Sequence, residues 1–253
     1  MNLMLFFVLL GVLLLLVIGY NVIVQNRARI EHEKKIESQK LKAIIDETDQ
    51  LLSQINIIPF SKDLLLCLQV RSFTAIKGLA ALDNKNADLA QQVIATQTQI
   101  EQSKQSFKGQ DLSSFTQPEN DKQALALLKL IRRLRAVIRA EHGYGRMETR
   151  SFITENQRLE RLQLMINIDN LYKRAREALT ANQWSNAKQL LTKGLNALAK
   201  YEDDYAEKMT SRMLADIEEI NRHQNEIKNK LDKQNRQKET DELDILFQPK
   251  KKW

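Results

Sequence analysis

Turn-forming residues are scarce: the chain has 7 Gly and 3 Pro among 253 residues. Sheets need many tight turns, and tight turns draw on those two residue types, so the scarcity excludes a strand-rich fold. Cysteine is nearly absent too. The single Cys67 can close no intramolecular disulfide, which suits a reducing compartment. It lies in the apolar run Leu64-Leu65-Leu66-Cys67-Leu68, the setting of a small core residue rather than a reactive thiol. His32, His142 and His223 stand far apart in polar surroundings, and none has metal-ligand spacing. The stretch His142-Gly143-Tyr144-Gly145-Arg146 lacks the Lys-Ser/Thr ending and the preceding strand of a phosphate loop. Neither a nucleophile elbow nor a Cys–His signature occurs. The expectation is a protein that is not an enzyme and that needs no cofactor or metal.

What the chain does contain is Leu, Ala, Gln, Lys and Glu, all good helix formers, and the expected fold class is all-α. Leu3–Val24 is its longest apolar stretch, and Leu3 to Tyr20 holds no charged side chain. As a helix it would be about 33 Å long, roughly one hydrocarbon core. It reads as a single transmembrane helix. A cleaved signal peptide would be shorter, would start with basic residues and would end in a small-x-small site; Gly19-Tyr20-Asn21-Val22-Ile23-Val24-Gln25 offers none. No Lys or Arg precedes the span, whereas Arg27, Arg29, Lys34 and Lys35 follow it. Positive charge stays on the cytoplasmic side, so the N-terminus is expected outside and the rest in the cytoplasm, at the inner membrane of a bacterium. Tyr20 sits where an interfacial aromatic would anchor the span. Gly11 and Gly19 are too far apart for a small-xxx-small helix pair, so oligomeric state stays open.

Four segments are expected: an anchor (1–24), a juxtamembrane helical stalk (25–58), a helical-hairpin domain (60–220) and a flexible tail with a short linear motif (221–253). In the stalk, Leu41, Ile44/Ile45, Thr48, Leu51/Leu52, Ile55 and Ile58 alternate in steps of three and four, a coiled-coil-like stripe free to meet the chain's own later helices. Pro59 should end that helix. Ser61 should cap the next, over 62–82, and a turn at 83–86 should lead into another over 87–107. Lys108–Asn120, with Gly109 and Pro118, is the clearest loop. Asp121 should cap a helix over 122–141 whose apolar stripe is Leu127, Ile131, Leu134 and Ile138. After a break at Gly143–Gly145, helices are expected over 147–181, 184–200 and 203–232. Beyond Asn221 apolar residues nearly vanish, so the tail should fray.

Three features point to binding. Ala175, Ala178 and Leu179 precede the turn Thr180–Trp184, and Ala187, Leu191 and Leu195 follow it. In its small residues, its aromatic entering the second helix and its large apolar residue further on, the stretch 168–200 resembles one tetratricopeptide-type hairpin. That resemblance implies a protein-binding helical scaffold. It departs from the family in lacking a closing Pro and a second copy.

The second feature is basic. Lys129, Arg132, Arg133, Arg135, Arg139, Arg146, Arg150, Arg158 and Arg161 (nine) face Glu141, Glu148, Glu155 and Glu160 (four), leaving +5 of the chain's +7 in one stretch. Arginine forks suit phosphate or carboxylate, and no sequence-reading motif accompanies them. The third is the tail. Asp241-Glu242-Leu243-Asp244-Ile245-Leu246-Phe247 is an acidic-apolar island, and Lys250-Lys251-Lys252-Trp253 closes the chain. Leu243-Asp244-Ile245 and Phe247 are similar to the tail peptide of the bacterial tubulin-like division protein and to sliding-clamp-binding peptides. Leu243, Ile245, Leu246, Phe247 and Trp253 are the expected partner contacts. The function expected is a membrane-anchored scaffold that recruits a cytosolic protein. The alternative is a tether for nucleic acid or anionic lipid through the Arg-rich 129–161 surface.

Overall fold

The computed structural model describes the backbone of residues 2–112 and 115–247. It describes side chains at 16, 19–112, 115–234 and 236–237. Among the described residues the protein is all-α, with seven helices and no strand: α1 (Asn2–Leu52), α2 (Lys62–Leu82), α3 (Ala87–Ser106), α4 (Asp121–Gly143), α5 (Thr149–Thr180), α6 (Trp184–Leu198) and α7 (Asp204–Phe247). Most of the expected membrane span falls on side chains outside the described residues. Among those described, α2 is the one helix long and apolar enough to cross a membrane, and half of its apolar window is buried within the fold.

The chain divides into two compact units: Met1–Thr116 with Leu127–Glu160, and Gln117–Ala126 with Arg161–Trp253. The division falls within α4 and within α5, and it cuts the 60–220 stretch expected as one domain.

In the first unit α1 packs on α2, and α2 on α3. The stalk stripe therefore meets the chain's own next helix. Thr48 and Leu51 are fully buried, and Leu41 lies so close to Gly78 that a Cβ there would stand 3.0 Å from its Cδ1. Helix α1 ends at Leu52, short of the stop expected at Pro59. Backbone bonds shorten to the i→i−3 kind, with Gln54 N donating to Leu51 O and Ile55 N to Leu52 O, so the last turn tightens and unwinds before proline acts. Ser61 caps α2 as expected, its Oγ accepting from Leu64 N at 3.0 Å. Helix α3 starts at the Asn86 cap and buries only Ile100. Asn120, not Asp121, caps α4: its Oδ1 accepts from Gln123 N at 2.9 Å. A cap side chain must sit one residue before the first helical turn to reach that amide. The whole α4 stripe of Leu127, Ile131, Leu134 and Ile138 is buried.

The second unit has its own core. Ile168, Ala175 and Ala178 of α5 join Ala187, Leu191 and Leu198 of α6, and Ala206, Met209, Met213 and Ile220 of α7. Small residues let the helices approach closely. A Cβ on Gly194 would meet Met213 Sδ at 2.7 Å, so a larger residue there would have to displace the end of the Met213 side chain. Asn182, at φ 58°, makes the left-handed turn between α5 and α6. The tail differs from expectation, because α7, expected to fray after Asn221 and to end by Asp232, continues as helix to Phe247. Residues 222 and 224–234 are exposed, so tertiary packing does not hold them helical. Local chemistry does. Gln, Lys, Glu and Leu are good formers, and Glu226 and Lys230, like Asp232 and Arg236, stand four apart with the acid first. Propagating an existing helix needs no new nucleus.

Candidate functional site

The basic stretch separates into two populations once the helices are in place. One is used up internally. Arg135 donates to Glu160 Oε1 and, through Nε, to Asn156 Oδ1 at 3.1 Å. Arg146 grips Glu141 with both arms of its fork. Arg158 does the same to Glu155 at 3.0–3.1 Å and donates also to Pro59 O at 2.8 Å. Arg161, in the second unit, pairs with Asp203. Arg133 lies 3.8 Å from Glu47 and is half exposed.

Two of these carboxylates are deep in the first unit. The Glu141 and Glu155 side chains are each only 2% exposed. A charge so buried is tolerated only when fully paired, and each is. Arg71 of α2 adds a second cation to Glu141 at 3.8 Å and binds Glu47 at 2.5 Å. Ser61 donates to Glu155 while capping α2, so one hydroxyl links α2 to α5. Cys67 lies among these groups. Burial, reinforced by the Glu141 charge, pushes its thiol up to about 12, which makes it inert at neutral pH.

The second population is free. Lys129, Arg132 and Arg139 follow one ridge of α4, opposite the buried stripe, with Ala136 completing the three-four-three spacing. All are exposed, and none has an ion-pair partner among the described residues. Arg150, at the start of α5, is exposed as well.

The second unit holds a polar cleft of about 260 Å³ whose lining includes Gln117, Asn120, Asp169, Tyr172, Lys173 and Arg212. Tyr205 Oη donates to Asp169 Oδ1 at 2.8 Å, while Asp169 Oδ2 is buried without a hydrogen-bond partner. Burial raises the Asp169 carboxyl above the ordinary carboxylate range, against the smaller lowering effects of the Tyr205 hydrogen bond and Arg212. Among the described residues no Ser, Cys or His lines the cleft. Among the described residues no group of three His, Cys, Asp or Glu is placed to hold a metal ion.

In the hairpin, Ala175, Ala187 and Leu191 are core residues. Trp184 stacks on His223 of α7, ring centres 4.0 Å apart. Leu243, Ile245, Leu246 and Phe247 fall on the helical backbone of α7, but their side chains lie outside the described residues, as does the whole of Trp253.

Sequence reasoning missed Arg71 and the buried Glu141 that it helps hold. A signal existed, since Arg71 is the only charged residue between Asp63 and Lys77. It missed the Asp169 cleft with no comparable signal, because its walls come from segments some 40 residues apart, such as Asp169 and Arg212. No protein-family model, curated protein or solved structure matches this chain.

Proposed function

We propose that this protein is a membrane-anchored scaffold of the bacterial inner membrane. The N-terminal part of α1 is a single span with its N-terminus outside. The helical units lie in the cytoplasm and, with the C-terminal Leu243–Phe247 segment, recruit a protein partner to the bilayer. It works by position and contact, without catalysis.

The observation that carries the reading is the make-up of α1. One unbroken helix of 51 residues runs from the apolar leader to side chains buried in the first unit. Leu16, Tyr20, Val22, Ile23 and Val24 are 44–69% exposed on it, apolar surface that lipid would cover. Arg27 and Arg29 follow at once, with the sign that holds a flank in the cytoplasm. The small-residue packing of α5, α6 and α7 supports a tetratricopeptide-like, partner-binding use of the second unit.

The test is membrane fractionation followed by affinity purification. The full chain is expected to stay with membranes through carbonate washing and to bring down a cytosolic protein. A chain lacking residues 240–253 should stay with membranes and lose that protein. Release by carbonate overturns the anchor. Identical partners with and without the segment overturn its recruiting role.

A further inference from the structure

The unpaired α4 ridge faces solvent, and the geometry points to duplex nucleic acid as its ligand: we infer that Lys129, Arg132 and Arg139 contact the phosphate backbone without reading sequence. From Leu127 to Gly143 the one carboxylate of α4 is Glu141, which is buried and paired. Ridge cations ten residues apart span about 15 Å of helix. On the ridge Ala136 alone stands among the cations, and none of these four residues lines the Asp169 cleft or the Leu41–Ala140 cleft, whereas a protein partner needs a pocket for a buried anchor. A helix of about 10–12 Å diameter, by contrast, matches a duplex major groove about 12 Å wide whose walls carry phosphates. Other arginines of the first unit are paired, Arg135 with Glu160, Arg146 with Glu141 and Arg158 with Glu155. What remains on the ridge is charge with no internal use.

Lipid headgroups are out of reach, and this step alone rests on the anchor proposed above. Ala140 shares a cleft with Leu41 and Ile44, while Arg133 lies against Glu47. Helix α4 therefore runs antiparallel to α1, with Arg139 at the Leu41 level and Lys129 farther from the membrane. Val24 to Leu41 is 17 residues, about 25 Å of helix, and still about 19 Å at a tilt of about 40°. The headgroup layer takes up about 5–7 Å of that. The remaining gap exceeds the Debye length of about 8 Å at physiological salt.

The test uses the full chain in zwitterionic nanodiscs and a labelled random-sequence duplex. With about three phosphate contacts, log K should fall against log salt with a slope of about −2.7, roughly a 40-fold loss between 50 and 200 mM. Arg132→Gln/Arg139→Gln should lower affinity at least tenfold and flatten the slope by about two. Lys77→Gln/Lys104→Gln, an equal charge change at exposed sites elsewhere, should do neither. No binding at 50 mM salt overturns the inference, as does equal loss in the two double variants. Competition by polyglutamate as strong as by unlabelled duplex assigns the ridge to acidic protein. Loss of duplex binding on moving to anionic nanodiscs assigns it to headgroups. Each of those also overturns it, and none bears on whether the span is inserted.

Discussion

Glu155 shows most plainly how single residues hold the first unit together. Its carboxylate takes the Arg158 fork and the Ser61 hydroxyl, and the Arg158 side chain is itself only 15% exposed. Glu155→Gln leaves a buried guanidinium without its counter-charge, at a cost of about 3–5 kcal/mol. Urea unfolding should show that loss. Glu155→Leu/Arg158→Met should cost less than the sum of its two single changes, because removing both charges strands neither. Asp169 in the second unit works the other way. Burial raises its carboxyl, so the folded chain holds the proton to higher pH than the unfolded chain. Its contribution to stability is therefore highest below the ordinary carboxylate range and falls as pH rises from that range through the raised one. Asp169→Asn keeps an oxygen for Tyr205 Oη and removes the titration. Urea midpoints measured at pH 4 and pH 7 should drop less between those values than the parent's do, with the variant at least as stable at pH 7.

Single helices were the most legible part of the sequence, wherever one face had to be apolar. The α4 stripe of Leu127, Ile131, Leu134 and Ile138 is readable because a 3.6-residue period and burial select the same positions. The ends of α1 and α7 were not. Proline at 59 is a strong signal, yet the helix yields seven residues earlier, at Leu52. The α7 extension reads as frayed because it buries nothing, but burial is only one source of helix; propensity and acid-first pairs are another. Asn229→Pro tests that account. It should abolish helical circular dichroism from the exposed part of α7 and leave the unfolding midpoint of the second unit unchanged, since its core ends at Ile220. A drop in that midpoint would mean the extension is packed. The pairings that define the candidate site were hidden for a different reason. Ser61 and Glu155 are 94 positions apart, and a single sequence carries no distance between them. The nine basic residues could be counted in advance, but not sorted into spent and free.

At the scale of the whole molecule, the anchor proposal makes α1 a spacer of set length. Residues 21–37 are exposed throughout, so nothing in the fold shortens or bends this stretch. Deleting residues 28–34 should lower the first unit by about 10 Å toward the bilayer. Energy transfer from headgroup dyes to a label at Tyr144→Cys, an exposed site, should rise. Unchanged transfer would show that the first unit does not ride on the stalk.

An unbroken α1 transmits azimuth as faithfully as it transmits height. Each residue of an α-helix turns the chain by about 100°, so one added residue at the Glu33 level would swing the first unit around the stalk axis by that angle, whereas seven would return it to within about 20°. The compass bearing of the α4 ridge is thus written in the residue count between Val24 and Leu41, as surely as its side chains are written in their identities.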